Sequence, residues 1–102
     1  MSDLTNTRGD EFTATTTPVD ERIAPLATQG LMQKSASMLR IWNTGATDVR
    51  IGINDNATDF TVATVALIPA GEDQYFFADR NPIVNFYYAT EAGSTTIKYS
   101  AY

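Results

Sequence analysis

Any chemistry performed by this chain of 102 residues is done without histidine or cysteine, because it contains neither. Their absence removes the commonest general base, the Ser-His and Cys-His nucleophile pairs, the commonest metal ligand and all thiol redox chemistry. A carboxylate pair could still do acid–base work. Yet Asp48, Asp55, Asp59, Glu72, Asp73, Asp79 and Glu91 stand mostly at turn-like positions, where carboxylates cap backbone or face water. The glycines are scattered among the turns and form no phosphate-binding loop. Asn54-Asp-Asn-Ala-Thr-Asp59 offers oxygen ligands but lacks the spacing and distal glutamate of a calcium loop, and reads as an ordinary polar loop. Neither the glycosylation-like Asn56-Ala-Thr58 nor the integrin-type tripeptide Arg8-Gly9-Asp10 has a supporting secretory context, and both read as coincidence. The chain is therefore expected to be no enzyme and to carry no metal or cofactor.

The elements holding these residues are short and extended. From Ala36 onward, stretches of period two alternate with glycine, proline and asparagine turns. Strands are expected at Ser37–Asn43, Val49–Ile53, Gln74–Phe77, Ile83–Ala89 and Thr95–Ala101. The β-branched run Asp59–Ile68 reads as one long strand or two short ones. Gly45 in the Asn43-Thr-Gly45 turn is expected to supply a positive φ. The fold class is all-β: a small antiparallel sandwich or jelly-roll-like barrel of about six to eight strands over residues 36–102.

Residues 1–35 read differently. Seven threonines precede residue 30, and apolar residues are too widely spaced for a helical stripe or sustained alternation. Pro18 keeps the residue before it extended, and Asp20–Ala24 has room for one helical turn at most before Pro25 ends it. This segment is expected to be an N-terminal arm docking on a partner through Phe12, Val19, Ile23, Leu26 and Leu31, with a frayed terminus or one extra strand of the domain as the alternative.

Charge narrows the partners. A net charge of −5 repels phosphate backbones and anionic lipid, so neither nucleic acid nor membrane is an expected partner. The opening Met-Ser-Asp-Leu-Thr-Asn-Thr has neither the basic start nor the apolar run of a signal peptide, pointing to synthesis in a cytoplasm. Without disulfides, a domain this small depends on its core or on partners for stability.

Ten of eleven aromatic residues lie at or beyond Trp42. Consecutive aromatics in Tyr75-Phe76-Phe77 and Phe86-Tyr87-Tyr88 must point to both faces of a sheet. One set fills the core; the other is covered by a second layer or remains outside, where rings anchor proteins or stack on sugars. Tyr75, Phe76 and Tyr87 are the expected outward, partner-binding set.

Three stretches carry a family likeness: Leu39-Arg-Ile-Trp-Asn-Thr-Gly-Ala-Thr-Asp-Val-Arg-Ile-Gly-Ile53, Ile68-Pro-Ala-Gly-Glu72 and Gly93-Ser-Thr-Thr-Ile-Lys-Tyr99. Together they resemble small β-sandwich structural proteins of tailed bacteriophages over about residues 38–102. That resemblance implies a virion protein on the capsid surface, a decoration or cement protein bound to the major capsid protein as a homo-oligomer (trimer or dimer). A carbohydrate- or receptor-binding module of a head fibre or tail is the alternative it implies.

Overall fold

The computed structural model describes residues 8–23, 35–62 and 65–102. Among these there are eight strands and no helix: β1 (Arg8–Ala14), β2 (Val19–Arg22), β3 (Met38–Asn43), β4 (Val49–Ile53), β5 (Ala66–Ile68), β6 (Asp73–Phe77), β7 (Asn85–Ala89) and β8 (Thr95–Ala101). They form two antiparallel four-stranded sheets, ordered β1-β8-β3-β6 and β2-β7-β4-β5. The pairs β1–β8, β2–β7, β3–β6 and β4–β5 are nested one inside the next. Nested pairs shared alternately between two sheets make a jelly roll, the more specific of the expected architectures.

Alternation in the sequence decides what each sheet buries. In β8, Thr95, Ile97, Tyr99 and Ala101 point inward, while Thr96, Lys98 and Ser100 point out. In β3, Leu39, Ile41 and Asn43 are buried and Trp42 is exposed. Val49 and Ile51 of β4, Ile68 of β5, and Phe86 and Tyr88 of β7 close the core from the other sheet. The Phe86 ring meets Tyr99 edge-on at 5.2 Å, joining the layers.

The N-terminal stretch is woven into this sandwich. β1 pairs with β8 from Arg8↔Ala101 to Ala14↔Thr95, and β2 pairs with β7 from Val19↔Tyr88 to Arg22↔Asn85. Phe12 stacks between Tyr88 (5.7 Å) and Tyr99 (5.9 Å), and Ile23 is fully buried. These two expected arm anchors thus dock on the chain's own core, where they shed more water than an exposed arm would allow. Residues 8–23 supply two strands where one at most was considered. Val19 stays exposed at a sheet edge, and Leu26 and Leu31 lie outside the described residues.

Two local expectations are corrected. Among the described residues of the 59–68 run, only Ala66–Ile68 is strand. The Asn56 carboxamide oxygen accepts the Thr58 and Asp59 N–H groups, and the Phe60 N–H reaches the Asn56 carbonyl, so a side-chain-organised turn displaces the ladder. Gly45 does not have positive φ. Its need is room: a Cβ there would overlap the Thr95 hydroxyl and come within 2.7 Å of the Thr96 nitrogen.

Candidate functional site

The two outer faces of the sandwich are finished differently. On the β2-β7-β4-β5 sheet, the turn after β4 folds back and lays Phe60 on Tyr87, with ring centroids 5.5 Å apart. Gly52, the cross-strand partner of Tyr87, makes space for this, since a Cβ there would lie 2.8 Å from the Phe60 ring. Arg50 on the same face donates to the Val65 carbonyl and pairs with Glu91 at 3.3 Å. The middle of this face is thus covered by its own chain, while Leu67 beside Arg50 stays 38% exposed at the β5 edge.

The β1-β8-β3-β6 sheet has no such cover among the described residues. Register fixes what it presents. Trp42 lies between Lys98 of β8 and Asp73 of β6; Arg40 lies between Ser100 and Tyr75; Met38 faces Phe77. Trp42, Tyr75 and Phe77 are 41%, 48% and 68% exposed. Tyr75 and Phe77 stack along β6 at 6.5 Å. The Arg40 guanidinium lies 5.5 Å from the Trp42 centroid and 5.6 Å from that of Tyr75, while its Nε donates to Asp73 at 2.7 Å. The Lys98 ammonium lies 5.7 Å from the Trp42 centroid. A shallow groove of about 510 Å³ crosses this face beside Trp42, with Arg40, Lys98 and Ser100 on its floor and Asp10 and Glu11 at its β1 side.

This arrangement is ordered but not reactive. Cation–π contacts and the Arg40–Asp73 pair hold long side chains in one geometry, reducing the rotamer entropy lost when another surface docks. Asp73 raises the proton affinity of Arg40 further, so that cation stays charged. At the groove's inner wall, Tyr99 donates its hydroxyl to Glu21 at 3.0 Å. Burial pushes the Glu21 carboxyl above its ordinary range, partly opposed by that hydrogen bond and reinforced by Asp10 and Asp20.

The expected outward aromatics divide three ways. Tyr75 lies on the open face. Phe76 has the opposite parity and packs against the core beside Leu39, so it cannot share a face with Tyr75. Tyr87 faces out from the other sheet but lies under Phe60. Trp42, Phe77, Arg40 and Lys98 complete the open face and were missed. Parity alone was the signal, since Arg40-Ile41-Trp42 and Tyr75-Phe76-Phe77 each place alternate residues on one side.

No protein-family model matches this chain, and no curated protein does either. Two solved structures are similar in shape. PirA aligns over 92% of this chain and 92% of its own length, at 13% identity and a TM-score of 0.57. A chain of the disulfide-linked pili that form Bacillus endospore appendages aligns over 93% of this chain and 83% of its own, at 14% identity and a TM-score of 0.48. At these identities the likeness is one of fold. PirA is not a phage protein, and the expected assignment to a phage capsid decoration protein, or to a head-fibre or tail module, is overturned by this likeness. The turns and short strands that prompted it are what a jelly roll requires, and a fold is shared across unrelated functions.

Proposed function

We propose that this protein is a non-catalytic protein-binding module that docks a partner on the open face of the β1-β8-β3-β6 sheet. The observation that carries the reading is the asymmetry between the faces. On one, Phe60 covers Tyr87; the other displays Trp42, Tyr75 and Phe77 together, with Arg40 and Lys98 braced against the rings. Tryptophan, tyrosine and arginine are the residue types that dominate binding energy at protein interfaces. An acidic rim of Asp10, Glu11 and Asp73 around them gives the polar border that such interfaces use. The missing histidine and cysteine support a role in binding rather than catalysis.

The test is affinity capture from the producing cells with the wild-type chain and a Trp42→Ala/Phe77→Ala variant whose fold is checked by circular dichroism. Partners captured by the wild type should be lost by the variant. A folded variant retaining every partner, or a wild type binding only glycans, would overturn the reading.

A further inference from the structure

Each sheet of a jelly roll leaves two edge strands, and exposed edges invite pairing unless blunted. Three of the four edges here are blunted. β1 carries Asp10 and Glu11; β2 is four residues long, follows Pro18 and carries Asp20 and Glu21; β5 is three residues long and runs into Pro69. β6 is the exception. It has five residues, no proline and no lysine, and its one charge, Asp73, is already neutralised by Arg40 at 2.7 Å.

Its backbone parity is equally specific. The Asn43 N–H donates to the Glu72 carbonyl, and the Ala78 N–H donates to the Ser37 carbonyl. With the register Met38↔Phe77 to Trp42↔Asp73, the carbonyl of residue 72 and the backbone groups of residues 74 and 76 turn toward β3, as does the N–H of residue 78. The N–H and C=O groups of Asp73, Tyr75 and Phe77 therefore point away from the sheet, and among the described residues no strand lies beyond them. The same residues carry the exposed stacked rings.

We infer that β6 is a self-association edge, pairing antiparallel with β6 of a second copy about a two-fold axis at Tyr75. Going beyond the binding face, the inference rests on the backbone edge and not on that face's having another partner. In this register Tyr75 opposes Tyr75 and Asp73 opposes Phe77, and all three outward residues form closely bonded pairs, giving about six backbone hydrogen bonds. Two four-stranded sheets become one of eight. Across the axis the outer face reads Arg40, Tyr75, Tyr75, Arg40, a row of rings closed at both ends by cations. Charge selects a second copy at this edge. Two-fold pairing at β1 or β2 would bring carboxylates of both chains together, whereas β6 presents a neutral edge on a chain of net charge −5.

The chain has no cysteine, so single cysteines can be placed freely. Bonded antiparallel pairs bring Cα atoms to about 5.5 Å, within disulfide range. Under mild oxidation the Tyr75→Cys variant should form a covalent dimer rapidly, at least tenfold faster than the Lys98→Cys variant on the same face. By sedimentation at about 100 μM the wild type should run at twice the 11.2 kDa of one chain. Tyr75→Lys should run as a single chain with an unchanged far-ultraviolet spectrum. Tyr75→Pro, which removes an outward N–H along with the ring and leaves the ladder to β3 intact, should do the same. A single-chain wild type, a folded Tyr75→Lys dimer, or equal cross-linking at positions 75 and 98 would each overturn the inference. None of these outcomes depends on Trp42, so the binding-face reading stands or falls separately.

Discussion

Tyr99 of β8 and Glu21 of β2 tie the two sheets together, hydroxyl to carboxylate at 3.0 Å. The carboxyl is partly buried and close to Asp10 and Asp20, so folding raises its proton affinity. For a carboxyl raised in this way, the folded state holds its proton more tightly than the unfolded chain. Stability is then greatest below the ordinary glutamate range and falls as pH rises through the raised folded value. Glu21→Gln keeps an acceptor for Tyr99 and removes the charge. Thermal melts across pH 4–8 should show the variant gaining on the wild type at neutral pH, with the difference shrinking toward pH 4.

Asn43 is a second tie, buried at the end of β3. Its amide nitrogen donates to the carbonyls of Thr47 (2.8 Å) and Ile68 (3.0 Å), and its oxygen accepts from the Thr95 hydroxyl (2.7 Å) and the Gly45 N–H (3.2 Å). Replacing it with alanine strands several buried polar groups, and urea unfolding should show a loss of about 3 kcal/mol or more. Asn43→Asp should be at least as damaging, because a carboxylate would face two carbonyl oxygens.

Phe60 and Gly52 should prove coupled. Gly52→Ala pushes a methyl group against the Phe60 ring, and Phe60→Ala uncovers Tyr87. Each alone should destabilise by about 1–2 kcal/mol. In a double-mutant cycle the losses should fall short of additivity by about 0.5–1 kcal/mol, since the clash with the ring disappears while that with the flexible Asp55 carboxylate remains.

Trp42 is the chain's single tryptophan, which makes its fluorescence a direct reporter of the open face. Docking of a partner there should shift emission to shorter wavelength as water leaves the indole. Trp42→Ala, at a position 41% exposed, should change stability by less than about 1 kcal/mol, separating a binding residue from a structural one.

Much of the fold was legible in the sequence because period two is a strong signal where one face is buried. Thr95-Thr-Ile-Lys-Tyr-Ser-Ala101 shows it cleanly, and Val49–Ile53 nearly so. The signal failed where long-range pairing overrode local pattern. Nothing near Phe12 announces that Tyr88 and Tyr99 will flank it, because those partners lie more than seventy residues away. The run at 59–68 failed for the opposite reason, a local one: Asn56 captures the following N–H groups before a ladder can form. Of the open face, Tyr75 was legible as an exposed aromatic. Its grouping with Trp42 and Phe77 required the register of β3 against β6, which no single strand encodes.

The nesting of strand pairs sets the order in which this molecule can be made. β1 waits for β8, β2 for β7, and β3 has both neighbours downstream, so a chain emerging from the ribosome can complete only the inner pairs before residue 85. Among the described residues, 8–14 pair with 95–101 alone, at the far end of the path. Folding is therefore dominated by distant closures, the class that runs in milliseconds to seconds rather than microseconds. Until β8 arrives, the apolar sides of β1 and β3 stand open to water, a window in which chaperones or premature association compete with the native roll.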